Sequence, residues 1–303
     1  MFREVVLGLA GNPVVEGALK RYGMQLGAAR FVAGATLPEA IEHIRSINQK
    51  GVTVTLDHLG EAVRQQSEAV NAKDSYLAML DAIHQSGVDA NVSLKLTMMG
   101  LGLDEELGRK HLLEIVDKAA EYNNFVRIDM EDSPYTEVTL KLFEEAHAAH
   151  PQNVGVVLQA YLYRTMDDLK RLSGPNKNFR IVKGAYREPV SVAFPSKADV
   201  DENYVRLVEE SLTRGNYTAV ATHDERIIGR VLKFVHEHNV PRDQFEFQML
   251  YGVRFSVLES LAKQGFATRV YVPYGEDWYA YYVRRVAERP ANLLFFARAL
   301  LDR

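Results

Sequence analysis

Three stretches of this sequence hold side chains whose type and spacing suit chemistry. Lys95 stands in Val92-Ser93-Leu94-Lys95-Leu96, an otherwise apolar run. A lysine there is costly to bury unless it is paired or deprotonated, so it suits either binding a carboxylate or forming a Schiff base. Asp129, in Arg127-Ile128-Asp129-Met130-Glu131-Asp132, suits orienting a cation; capping a loop is the plainer alternative. In Phe179-Arg180-Ile181-Val182-Lys183-Gly184-Ala185-Tyr186-Arg187, alternation puts Arg180 and Val182 on one face and Ile181 and Lys183 on the other. Gly184 allows close approach of a backbone or ligand. The positive charges suit a phosphate-bearing or electron-rich cofactor, or else a solvated basic strand edge.

The strongest local feature is Tyr281-Tyr282-Val283-Arg284-Arg285-Val286-Ala287-Glu288-Arg289-Pro290. On a helix, Arg284 and Glu288 are four apart and Arg284 and Arg285 are about 100° apart, so the two guanidinium groups can bracket one small ligand. Paired guanidinium groups suit bidentate recognition of a carboxylate, against the plainer reading of a charged surface helix. Thr222-His223 is a neutral hydrogen-bonding pair, and a lone histidine is more often a satisfied rim or core residue than a ligand. The sequence carries no metal pattern: His236 and His238 face different directions on a helix, and His147 and His150 belong to a polar helix.

These residues must be held by secondary structure, and after Gly51 the sequence alternates short β-branched runs with longer amphipathic ones. Strands are predicted over 52–56, 90–96, 126–130, 155–160, 180–184, 218–222, 246–250 and 268–272. Helices are clearest over 105–122, 136–149, 200–214, 226–238, 255–263 and 277–289, with further ones over 13–29, 38–48 and 291–301. Alternating units imply a parallel sheet with right-handed crossovers, and eight of them match a closed (β/α)8 barrel. The rival open sheet would more often carry a glycine fingerprint after its first strand, and Leu56-Asp57-His58-Leu59-Gly60-Glu61 is not one. The fold expected is an α/β barrel with an N-terminal helical arm: one domain over 1–303, with arm helices in 1–50 and the barrel and C-terminal helix in 51–303. A barrel presents catalytic groups at the C-terminal ends of its strands, where this sequence puts Lys95, Asp129, Gln159, Lys183, Thr222, His223, Gln248 and Tyr271.

Composition narrows the chemistry. The 303 residues contain no cysteine, which excludes disulfide-linked partners, thiolate metal sites, a cysteine nucleophile and a flavin attached through sulfur. The 36 Lys+Arg against 40 Asp+Glu give a net charge of −4 and no general electrostatic reason to bind nucleic acid. No segment approaches the ~20 apolar residues that span a bilayer. The first ten residues carry Arg3 and Glu4 around a run too short for a secretory signal, so a cytoplasmic location is expected.

The chain resembles the proline dehydrogenase family. The resemblance rests on Arg284-Arg285-x-x-Glu288-Arg289-Pro290-x-Asn292, the Arg-x-Val-Lys-Gly-Ala-Tyr segment at 180–186, Gln159-Ala160-Tyr161 and Thr222-His223. It includes Glu246-Phe247-Gln248-Met249-Leu250-Tyr251-Gly252 and Arg269-Val270-Tyr271-Val272-Pro273-Tyr274-Gly275, in order from about 52 to 292. It implies a distorted barrel that binds FAD non-covalently and oxidises L-proline to Δ1-pyrroline-5-carboxylate. By that resemblance Lys95, Arg284 and Arg285 hold the proline carboxylate, and Tyr271 packs on the pyrrolidine ring. Asp129 orients the arginines, Arg180 reaches the flavin, and Glu61 gates the site. Met130, Gln159, Val182, Lys183, Gly184, Ala185, Thr222, His223, Gln248, Leu250 and Glu288 line the FAD site. Arg187 departs from the Trp of some larger members, and the chain has no second, aldehyde dehydrogenase domain, like the short monofunctional group.

The resemblance also implies electron transfer to a membrane quinone and activity that rises with pH, because the neutral amine reacts. The apolar tail 292–301 is expected to cap the barrel, with peripheral membrane contact as the lesser alternative. The competing function is an aldolase-like lyase using Lys95 or Lys183 as a Schiff base; it leaves the paired arginines without a purpose.

Overall fold

The computed structural model describes residues 30–60 and 62–288, and at 284 and 286–288 it describes the backbone alone. Eight strands are β1 (Thr53–His58), β2 (Ala90–Leu94), β3 (Val126–Ile128), β4 (Val154–Gln159), β5 (Asn178–Val182), β6 (Tyr217–Ala221), β7 (Phe245–Leu250) and β8 (Thr268–Tyr274). Each pairs in parallel with the next, and β8 closes onto β1, so the sheet is a closed barrel in chain order. The register sets Thr55 beside Asn91 on one side and Tyr271 on the other.

The helices fill the connections: α1 (Leu37–Asn48) precedes β1, and α2 (Gln66–Ser86), α3 (Glu105–Glu121), α4 (Ser133–Ala149), α5 (Thr165–Leu172), α6 (Lys197–Thr213), α7 (Glu225–Glu237), α8 (Phe255–Lys263) and α9 (Trp278–Glu288) follow the strands in turn. Local chemistry fixes several starts. The Asp104 carboxylate accepts from Leu107 N at 2.9 Å to cap α3, and Asp224 accepts from Arg226 N at 3.1 Å to cap α7. Glu39 reaches back to the N–H groups of Ala35 and Thr36 at the start of α1. The helices expected over 13–29 and 291–301 lie outside the described residues.

The strands' period of two splits their side chains by chemistry. Val54, Leu56, Val92, Leu94, Val126, Ile128, Phe179, Ile181, Phe247, Met249, Val270 and Val272 join the helices in one continuous apolar core. The opposite face, Thr55, Asp57, Asn91, Ser93, Arg127, Asp129, Arg180, Glu246, Gln248, Arg269 and Tyr271, fills the inside of the barrel. That inside is therefore polar, where barrels commonly stack branched aliphatic side chains. Arg180 shows the direction directly: from β5 it bonds Ser93 on β2 and Thr55 on β1, straight across the interior.

A glycine makes room for one of these charges. A Cβ on Gly155 of β4 would lie 2.5 Å from Arg127 Nη1 and 2.5 Å from the carbonyl oxygen of Asn178. Neither can retreat easily, since one is backbone and the other a bonded guanidinium. Gly155→Ala is expected to cost about 1–3 kcal/mol of unfolding free energy, the range for an overfilled interior, read as a lowered denaturant midpoint at unchanged slope.

The helix carrying the paired arginines does not join this core. Trp278, Tyr281 and Tyr282 of α9 cluster with Phe31, Val32 and Leu59, against the segment before α1 and the loop after β1. The predicted helix is thus present, and it rests at the C-terminal rim of the barrel.

Candidate active site

Asp129, just past β3, is the centre of the interior network. Its Oδ1 accepts from Ser93 Oγ at 2.7 Å and from Arg180 Nη1 at 2.9 Å, and its Oδ2 accepts from the Tyr271 hydroxyl at 3.1 Å. Arg180 also donates to Ser93 Oγ at 3.1 Å and Thr55 Oγ1 at 3.4 Å, with its guanidinium 5.5 Å from the Tyr271 ring centre. Burial raises the Tyr271 hydroxyl well above the ordinary phenol range, so it stays protonated and donates. Five strands meet at this one carboxylate and guanidinium.

Lys95, one residue past β2, lies beside it. Its Nζ is 3.6 Å from Asp57 Oδ1, which also accepts from the Tyr76 hydroxyl of α2 at 3.2 Å. Burial pushes the Asp57 carboxyl up, the Lys95 ammonium pulls it back, and the nearby Asp129 adds to the rise, leaving it above the ordinary carboxylate range. Lys95 keeps a quarter of its side chain accessible while Asp57 has almost none. The lysine is therefore presented from below by a buried carboxylate.

A second group lines the rim of β4 to β7. Gln159 at the end of β4 is buried and donates to the Glu131 carbonyl at 2.8 Å. Lys183, after β5, lies between Asp201 of α6, which it contacts closely, and Asp224 at 3.5 Å. Gly184 has φ +116°, and a Cβ there would stand 2.4 Å from the Tyr161 ring, so only glycine fits. Ala185 is exposed and Val182 half-buried. The Thr222 hydroxyl accepts from Asp224 N at 3.1 Å. His223 Nε2 accepts from Leu250 N at 3.0 Å, which leaves the ring proton on Nδ1. Gln248 is buried and donates to Glu246 Oε1 at 2.5 Å. Met130 is buried beyond β3.

The rim thus divides into two contiguous arcs. Lys95, Asp129 and Tyr271 occupy the β8-β1-β2-β3 arc, and Gln159, Val182, Lys183, Gly184, Thr222, His223, Gln248 and Leu250 occupy the β4-to-β7 arc. Arg180 belongs to the second and reaches into the first. On α9, the Arg285 guanidinium is 5.1 Å from the Tyr281 ring centre. Glu61 and the side chains of Arg284 and Glu288 lie outside the description. Among the described residues no three His, Asp or Glu side chains form a metal cluster, and no helix is long and apolar enough to cross a membrane.

Sequence reasoning passed over Asp57 and Glu131. Glu131 accepts from Thr97 N at 2.9 Å and Thr97 Oγ1 at 2.5 Å, pinning the loop that begins at Lys95. The available signal for Asp57 was parity: it shares the inner face with Thr55, at the same strand end as the other functional residues. The cationic residues are also less exposed as charge than the sequence suggests, because Lys95, Arg180 and Lys183 each meet a carboxylate.

The sequence pattern of the proline dehydrogenase family matches residues 40–298. The chain belongs to this family. It is 45% identical over 308 residues to the proline dehydrogenase of Deinococcus radiodurans, covering 99% of this chain and 98% of that one. It is 43% identical over 303 residues to proline dehydrogenase 1 of Bacillus subtilis (strain 168), covering all of both. Its fold is similar to that of proline utilization A from Bdellovibrio bacteriovorus inactivated by N-propargylglycine, with a TM-score of 0.83 at 24% identity. That match covers 95% of this chain and 36% of the larger one. As a proline dehydrogenase family member the chain is an oxidoreductase with a closed eight-stranded barrel. The lyase alternative loses its ground, because the family is not a lyase family and both lysines are engaged by carboxylates.

Proposed function

We propose that this chain oxidises L-proline to Δ1-pyrroline-5-carboxylate with a non-covalently bound FAD, and that the electrons pass on to a quinone. The observation that carries the reading is Arg180. It spans the two arcs of the rim, and its Nε is buried with no partner among the described residues although its other nitrogens are bonded. A buried N–H left over suits an electron-rich heterocycle lying along the β4-to-β7 arc. The donors there, Gln159, Lys183, Thr222 and His223, are the types that hold a flavin nucleotide.

FAD, when bound, supplies the hydride acceptor. The chain's own residues supply the rest. Lys95 and Arg285, with Arg284, hold the substrate carboxylate, and Tyr271 closes against the ring. Fixing the carboxylate fixes the carbon next to the ring nitrogen, the orientation effect that makes the encounter effectively unimolecular. The neutral amine is the reactive form, since positive charge develops on the forming C=N bond as hydride leaves. Asp129 keeps Arg180 in place through two bonded strands. Glu61 gates the site. The protein works in the cytoplasm, with peripheral contact to the membrane that holds the quinone.

The deciding experiment is the absorbance spectrum of the purified protein. A flavin band that bleaches anaerobically on adding L-proline is the expected result. A colourless protein that takes up no added FAD overturns the reading.

A further inference from the structure

Arg127 on β3 lies two residues before Asp129, so the two side chains share the barrel's inner face about 7 Å apart along the strand. It is 2% exposed. Nη1 donates to the carbonyls of Asn178 at 2.8 Å and Val156 at 3.2 Å, Nη2 contacts the Asn178 side-chain oxygen closely, and the guanidinium lies 4.9 Å from the Phe125 ring centre. Nε is buried without a partner among the described residues. No carboxylate there comes within ion-pair distance. The other interior cations are matched: Lys95 with Asp57 at 3.6 Å, Arg180 with Asp129 at 2.9 Å, and Arg269 with Glu246 at 3.1 Å. Among these four interior cations Arg127 alone has no carboxylate within ion-pair distance among the described residues, and Glu246 acts on it only from farther off.

Burying an uncompensated charge is expensive, and the fold goes to some length to do it. Burial and the neighbouring Arg180 push the guanidinium down to about 9, which still leaves it charged at neutral pH. Gly155 is kept bare beneath it. A neutral side chain would bolt Asn178 to β3 at lower cost, so the charge itself calls for a use. We propose that Arg127 tunes the redox site electrostatically: its unpaired charge, behind Arg180, stabilises the electron-rich reduced flavin and raises its reduction potential. This rests on the flavin reading above.

Anaerobic redox titration of the flavin-loaded enzyme tests it, with three variants. Arg127→Gln removes the charge and is expected to lower the equilibrium constant for reduction about tenfold, about 30 mV for a two-electron couple. Arg127→Lys keeps the charge and should retain most of the potential. Glu246→Gln removes an anion from the same interior and should shift the potential the opposite way, upward. A purely structural bolt gives no such opposed pair. Unchanged potentials in both neutralised variants, or shifts of one sign, overturn the proposal. Should Arg127→Gln not fold, Arg127→Met takes its place in the same titration: a lowered potential supports the proposal and an unchanged one overturns it. A protein that binds no flavin, seen in the spectrum before any titration, instead overturns the functional reading.

Discussion

Arg180→Met is expected to lower kcat about 100-fold or more and to cost about 3–5 kcal/mol of stability, the range for removing one partner of a buried charge pair or one preorganised donor. The two effects share one cause. Arg180 is 4% exposed and its guanidinium donates to Asp129, Ser93 and Thr55, so it joins β5 to β1, β2 and β3 through the interior. Without it Asp129 keeps, among the described residues, the Ser93 and Tyr271 hydroxyls, which bond a carboxylate but do not neutralise it. The Tyr271 ring also loses the cation beside its face. Arg180→Lys should recover part of the stability, because charge returns, but little of the rate, because a single ammonium cannot serve three strands and a further acceptor at once. Steady-state kinetics with proline and denaturant unfolding of the apoprotein read the two effects separately. A wild-type kcat in Arg180→Met with a full complement of flavin removes Arg180 from the reaction.

The strand–helix alternation was legible because buried parallel strands leave compact β-branched runs. All eight strands stand where those runs predict them, with ends shifted by a few residues; β3, for instance, stops at Ile128 rather than Met130. α2 is long but was not among the clearest helices, since Ala, Asn and Lys dilute its apolar stripe, and α5 has only eight residues in which to show a period. Lys95, Asp129 and Tyr271 were legible as long polar side chains at strand ends, and Arg180 as one of the positive charges of the run 179–187. Their partners were not. Arg180 and Thr55 are 125 residues apart, and Tyr271 and Asp129 are 142 apart, so only closure of the barrel brings them together. For the same reason the sequence shows a cluster of cations, and the structure shows ion pairs. The packing of α9 on Phe31 and Val32 joins opposite ends of the chain and has no local signature either.

Lys95→Met should raise the KM for proline about 100-fold while changing kcat much less, because a contact made equally in ground and transition states is lost. A charge-assisted bond to a carboxylate is worth about 1.5–3 kcal/mol, and tenfold in affinity corresponds to about 1.4 kcal/mol, which brackets that figure. The variant has a second consequence in the apoprotein. Asp57 is already raised by burial, and the Lys95 ammonium 3.6 Å away is the main influence holding it down. With methionine at 95 its pKa rises further. A carboxyl whose folded pKa exceeds its unfolded value favours folding below the unfolded pKa and loses that contribution as pH rises through the folded one. The variant should therefore be more destabilised relative to wild type as the pH climbs from the ordinary carboxylate range, and unfolding curves across that range measure it. Adding Asp57→Asn removes the titrating group, leaving an amide to accept from the Tyr76 hydroxyl. Asp57→Asn/Lys95→Met should regain stability and lose its pH dependence, yet keep the raised KM. Recovery of proline affinity in the double variant would mean that Lys95 serves only to neutralise Asp57, and that the substrate carboxylate is held by the arginines of α9 alone.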